Sequence, residues 1–130
     1  MVFSTPQSNP CVTTVMATAI KHAGLPPPDP YQPGGLLSLG KPGLIDELFK
    51  QVGFREVATT KVAAPFKLPT ANNYLDFIKS SAGPIVAIMQ RLQPAQREAA
   101  WMEMEESLRR FEAGTQWIGP NELLLTAARR

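Results

Sequence analysis

Residues 39–78 read LGKPGLIDELFKQVGFREVATTKVAAPFKLPTANNYLDFI, and the pattern changes period twice within that stretch. After Pro42, the residues Leu44, Ile45, Leu48, Phe49 and Val52 recur at steps of three and four, which is the apolar face of a helix. Asp46 and Glu47 lie in its first turns, where negative charge suits the helix dipole. Gly53 is placed to close it. From Phe54 the chain favours the extended state, with Val57, Thr59, Thr60 and Val62 as strand formers. Pro65 and Pro69 end this run or confine its later part to a sheet edge, so the strand is placed at 54–65. Thr70 can then cap a helix carrying Tyr74, Leu75, Phe77 and Ile78. A helix, a strand and a further helix in this order define an α/β pattern.

Working outward, Val2 and Phe3 make a short strand at 2–5. Asn9-Pro10 starts a helix whose apolar positions are Val12, Val15, Met16, Ala19 and Ile20, and Gly24 stops it. Leu25 to Pro33 (LPPPDPYQP) is a stiff, extended loop. Downstream, Gly83-Pro84 breaks the third helix, and Ile85, Val86, Ile88, Met89 and Leu92 form a fourth. Pro94 opens a fifth helix, long and acidic, running to about Glu112, with Trp101, Met104, Leu108 and Phe111 on one stripe. Trp117 and Ile118 pack at a helix–strand junction. The closing segment ELLLTAA (Glu122–Ala128) lies in a strand at 121–128 and is apolar nearly throughout, which suits a strand covered on both faces.

Composition narrows the function classes. The chain has 130 residues, of which 44% are hydrophobic, and a net charge of +2. That is the size of one ordinary domain with a real core. No basic face threaded with aromatics is present, which sets nucleic-acid binding aside. The single cysteine and single histidine allow no intrachain disulfide and make a poor metal inventory. No apolar run approaches the roughly 20 residues a membrane helix needs, and the opening residues do not read as a signal peptide. A soluble, reducing, cytoplasmic setting is the expectation.

Candidate chemistry has bland readings beside it. Cys11 opens the first helix, yet His22 is three turns away on the same helix, so Cys11 reads as a small buried hydrophobe. His22 sits near the helix end, where a cation suits the dipole. Glu98, Glu103, Glu105, Glu106 and Glu112 interleave with Arg97, Arg109 and Arg110, the pattern of a solvated, self-paired face.

Leu39–Ile78, together with GPNELLLTAARR at Gly119–Arg130, resembles the C-terminal half of class I S-adenosylmethionine-dependent methyltransferases. The nearest group is the small-molecule, ubiquinone/menaquinone-biosynthesis-like one. There a helix ends before a Gly-Phe step, a strand follows, and a helical insertion leads to a closing strand. Here these are Leu44–Val52, Gly53-Phe54, Val57–Val62, Thr70–Glu112 and Leu123–Ala128, and VFSTPQSNP resembles the end of the family's fifth strand. The likeness extends over nearly the whole chain. The family's cofactor site needs a glycine-rich turn after a strand. Gly34, Gly35 and Gly40 follow a proline loop instead and read as loop punctuation.

The resemblance implies a three-stranded remnant of a doubly wound sheet with about five helices, as a single domain over 1–130 with a helical insertion at 70–112. Its last strand lies between the other two and antiparallel to the 54–65 strand. It implies a substrate-side methyltransferase fragment that binds no cofactor alone, has no catalytic residue of its own and is not active by itself. Its acceptor pocket for an apolar small molecule takes Phe66, Tyr74, Phe77 and Trp101, which otherwise read as core. A strand beginning at the first residue suggests a chain cut from something longer. The outer edge of strand 2–5 is then expected to meet a second copy or a missing N-terminal half. A non-catalytic binding module and one chain of a two-chain methyltransferase are the alternatives.

Overall fold

The computed structural model describes all residues from Met1 to Arg130. The chain folds into two compact units. One comprises residues 1–10, 28–65 and 120–130, and the other residues 11–27 and 66–119. The chain passes between them four times, and Pro10, Pro27-Pro28, Pro65 and Pro120 stand at those crossings. Proline supplies no amide donor and fixes its own φ, so a hydrogen-bonded ladder stops where one stands.

The first unit is a sheet of three strands, β1 (Val2–Phe3), β2 (Arg55–Ala63) and β6 (Glu122–Arg129), in the order β1-β6-β2. The last strand is central and antiparallel to both neighbours, with Val2 opposite Leu124 and Thr59 opposite Thr126. The expected strand order therefore holds. Helix α2 (Leu44–Gln51) accompanies this sheet. It ends as the sequence requires: Gly53 takes φ +91°, and the amide of Phe54 reaches back to the carbonyl of Phe49 at 3.0 Å. A residue with a side chain is strained at that φ.

Asn9 stitches the unit. Its Oδ1 accepts from the Glu122 amide at 2.9 Å, and its Nδ2 donates to the Glu122 carbonyl at 3.2 Å, to Thr5 O at 3.0 Å and to Ser4 Oγ at 3.2 Å.

The second unit holds helices α1 (Pro10–His22, from Cys11 on), α3 (Ala71–Ser81), α4 (Gly83–Gln90) and α5 (Pro94–Leu108). It also holds a second antiparallel sheet, β3 (Phe66–Leu68), β4 (Glu112–Ala113) and β5 (Gln116–Gly119), in the order β3-β5-β4. Its core gathers Val15, Tyr74, Leu75, Ile85, Met104, Leu108 and Trp117 among others.

This second sheet corrects several expectations. The 54–65 strand ends at Ala63, and Phe66–Leu68 pairs with Trp117–Gly119 instead. Pro65 makes that break. The fifth helix stops at Leu108, continues as one 3₁₀ turn over Arg109–Phe111, and Glu112 already belongs to β4. Trp117 and Ile118 are strand residues, not a junction. Five α-helices are present as expected; α2 belongs to the unit of the first sheet and the other four to the second unit.

Candidate functional site

Helix α3 is positioned by its first residue. Thr70 Oγ1 accepts from the Asn73 amide at 3.3 Å, and Asn73 Oδ1 accepts from the Thr70 amide at 3.1 Å, a reciprocal cap. The helix then buries Ala71, Tyr74, Leu75 and Ile78. Tyr74 and Phe77, three residues apart, share one flank of it.

That flank carries the aromatic group. Phe66 meets Tyr74 edge-on with ring centroids 5.2 Å apart and lies 5.4 Å from Phe77. Tyr74 stacks on Trp117 at 5.1 Å, and Phe111 meets Trp117 edge-on at 6.1 Å. Such geometries add to the burial of each ring. Trp117 is fully buried, and its Nε1–H donates to the Leu108 carbonyl at 2.7 Å. Three of the four proposed pocket residues, Phe66, Tyr74 and Phe77, are thus brought together. Tyr74 sits in the core, whereas Phe77 is 44% exposed.

Trp101 lies elsewhere. It lines a cleft of about 350 Å³ between α3 and α5, with Leu75, Lys79, Pro94 and Met102 among its walls. Lys79 Nζ sits 5.0 Å from the centre of its ring, a cation–π arrangement. Beside it, Arg97 donates to the carbonyls of Met89 at 3.0 Å, Gln90 at 3.1 Å and Leu92 at 3.0 Å. Arg97 thereby closes the C-terminus of α4.

The titratable groups of this unit are held in quiet states. Burial pushes the Cys11 thiol up to about 12, against a smaller opposing pull from the Arg110 guanidinium. Burial likewise raises the Tyr74 phenol well above its usual range, and the neighbouring Cys11 adds to the rise. Both groups stay protonated at neutral pH, so the geometry offers neither a thiolate nor a phenolate nucleophile there. Glu103 accepts from Lys21 and His22, and these hydrogen bonds hold its carboxyl below the usual carboxylate range. Arg109 pairs with Glu106 at 2.9 Å and Glu105 at 3.7 Å. These glutamates are paired with basic side chains on the surface. No group of three or more His, Cys, Asp or Glu side chains gathers to hold a metal.

The sheet unit has a smaller cavity of about 210 Å³, lined by Ser4, Gly40, Ile45, Asp46, Thr59 and Lys61 among others. Thr59 Oγ1 donates to Asp46 Oδ1 and lies 2.7 Å from Thr126 Oγ1, tying α2 to the sheet. Gly40 backs directly onto this region. A Cβ there would stand 2.2 Å from the Ser4 carbonyl oxygen. Gly40 is thus committed to backbone packing, and Gly34 and Gly35 lie in turns rather than after a strand.

Trp117 and Phe111 belong to the aromatic group, whereas the sequence pattern puts Phe111 on the fifth-helix stripe and Trp117 at a helix–strand junction. The signal was present in EAGTQWIG, where Gly114-Thr115 is a two-residue turn between extended residues. Compared with family models, with curated proteins and with solved structures, the chain matches none.

Proposed function

We propose that these residues are the substrate-side, C-terminal portion of an S-adenosylmethionine-dependent methyltransferase acting on a small molecule. The observation that supports this reading is the sheet order β1-β6-β2, with the last strand central and antiparallel to both neighbours. It is the order the resemblance implies, and the α2, Gly53-Phe54 and β2 succession precedes it as in that family. The helical unit is the proposed acceptor side. Phe66 and Phe77 supply the accessible rims of its aromatic group around Tyr74, and Trp101 lines the separate cleft. In this reading the cofactor is held by residues outside these 130, in a separate chain or an adjoining one, and the outer edge of β1 is the side on which they join. Acting alone, the 130 residues are inactive.

Titration calorimetry with S-adenosylmethionine tests this directly. No binding is expected, and tight stoichiometric binding overturns the reading. The neighbouring DNA supplies the complementary test. A strand followed by a glycine-rich turn, encoded in frame or in an adjacent gene, is expected. Its absence from both sinks the proposal.

The Trp101 cleft favours a second reading, a non-catalytic module that holds an apolar small molecule. A thermal-shift screen that finds a stabilising apolar compound, with the shift lost in Trp101→Ala while the circular dichroism spectrum is kept, supports it over the first.

A further inference from the structure

The Trp101 cleft is walled by an aromatic ring and by charge that the fold leaves unmatched. Its ionisable walls are Lys79, Arg97, Glu98 and Glu105. Glu105 lies 3.7 Å from Arg109, but neither Lys79 nor Arg97 enters any ion pair. The two cations differ in freedom. Arg97 is fixed, because its Nε donates to Met89 O and its Nη2 to both Gln90 O and Leu92 O. Those bonds use every donor on the two nitrogens and leave the pair on Nη1. Lys79 is exposed and is held only by its approach to the Trp101 ring at 5.0 Å. Arg97 stands one turn before Trp101 on α5, so both cations flank the same indole.

These walls select a ligand class. Trp101, Leu75 and Pro94 offer an apolar surface with one flat aromatic face, which suits a planar ring. The cleft volume of about 350 Å³ is near the lower end of small-molecule pockets, about 300–1,000 Å³, which suits one or two fused rings. A cationic ligand has to compete with Lys79 for the indole face, and a neutral one uses neither cation. A carboxylate uses both. The ammonium of a lysine swings on a flexible four-carbon stem. A ring laid on the indole therefore displaces Lys79 towards its own carboxylate, exchanging a cation–π contact for a charge-assisted hydrogen bond. Glu98 is the one acid of the cleft without a basic partner, and it limits the occupant to a single negative charge.

We infer that the Trp101 cleft takes a planar aromatic monocarboxylate, with its ring on the indole and its carboxylate towards Lys79 Nζ and Arg97 Nη1. This occupant names the ligand class for the binding-module reading and rests on that reading.

Calorimetric titration of the chain with naphthoate, and with its neutral and cationic isosteres naphthylmethanol and naphthylmethylamine, tests the inference. Naphthoate is expected to bind about tenfold more tightly than the alcohol, with the amine weakest. Lys79→Met and Lys79→Gln, both at an exposed site, are expected to remove most of that preference and to leave alcohol binding in place. Trp101→Ala is expected to weaken all three ligands. Equal binding of carboxylate and alcohol, a preference for the amine, or a carboxylate preference that survives in the Lys79 variants overturns the inference and leaves the apolar-module reading standing. Failure of all three to bind at millimolar concentration also overturns it. The module reading then stands or falls on the thermal-shift screen alone.

Discussion

The two units solve the problem of stability in different ways. The helical unit buries a cluster of fourteen residues that runs from Cys11 through Tyr74 and Met104 to Trp117. The sheet unit has few buried apolar side chains, chiefly Leu37, Ile45 and Leu124, and its buried polar residues Ser4 and Asn9 are hydrogen-bonded. Apolar burial is non-directional and scales with area. A buried polar group instead contributes through a specific geometry, and breaking it leaves orphans behind. One unit therefore depends on volume and the other on pairing.

The largest expected effect belongs to the helical unit. Trp117→Ala empties the centre of the aromatic group and removes the indole N–H donated to the Leu108 carbonyl. A loss of about 3–5 kcal/mol is expected, read from urea denaturation. In the sheet unit the sensitive position is polar. Asn9→Ala strips the Glu122 amide of its partner and leaves the Glu122 carbonyl with the Ser4 amide alone, and is expected to cost about 1–3 kcal/mol. If Asn9→Ala proves nearly neutral while Leu124→Ala is severe, the contrast between the units fails.

Thr70→Ala removes the reciprocal cap of α3. About 1 kcal/mol is expected, with Thr70→Ser retaining most of the stability in the same assay. The smallest effect concerns Glu103. Its carboxyl titrates lower in the folded chain than in the unfolded one, so its contribution is present above the unfolded value of about 4.3 and is lost as pH falls through the folded one. Comparing urea midpoints at neutral and strongly acidic pH, Glu103→Gln is expected to show the smaller acid loss.

The elements with a clear period were legible in the sequence. Helices α1, α2 and α3 are punctuated by Pro10, Gly53 and Thr70, and the apolar run of β6 marks a central strand. The second sheet was not legible, because its strands are only two to four residues long. That is too short for a period of two to declare itself. The aromatic group was partly legible for a related reason. Tyr74 and Phe77 are neighbours by helical spacing, but Trp117 reaches them only through the β3–β5 pairing. Trp101 parts from them because it faces Leu75 and Lys79, on the other flank of α3.

The stitch between Asn9 and Glu122 joins residues 113 positions apart. Every residue of the helical unit, 11–27 and 66–119, leaves the ribosome before the central strand of the other sheet does. During synthesis β1 and β2 therefore wait with no ladder between them, because each pairs with β6 alone. A nascent chain arrested after Gly119 carries a formed helical core beside two unpaired strands, and such edges invite aggregation.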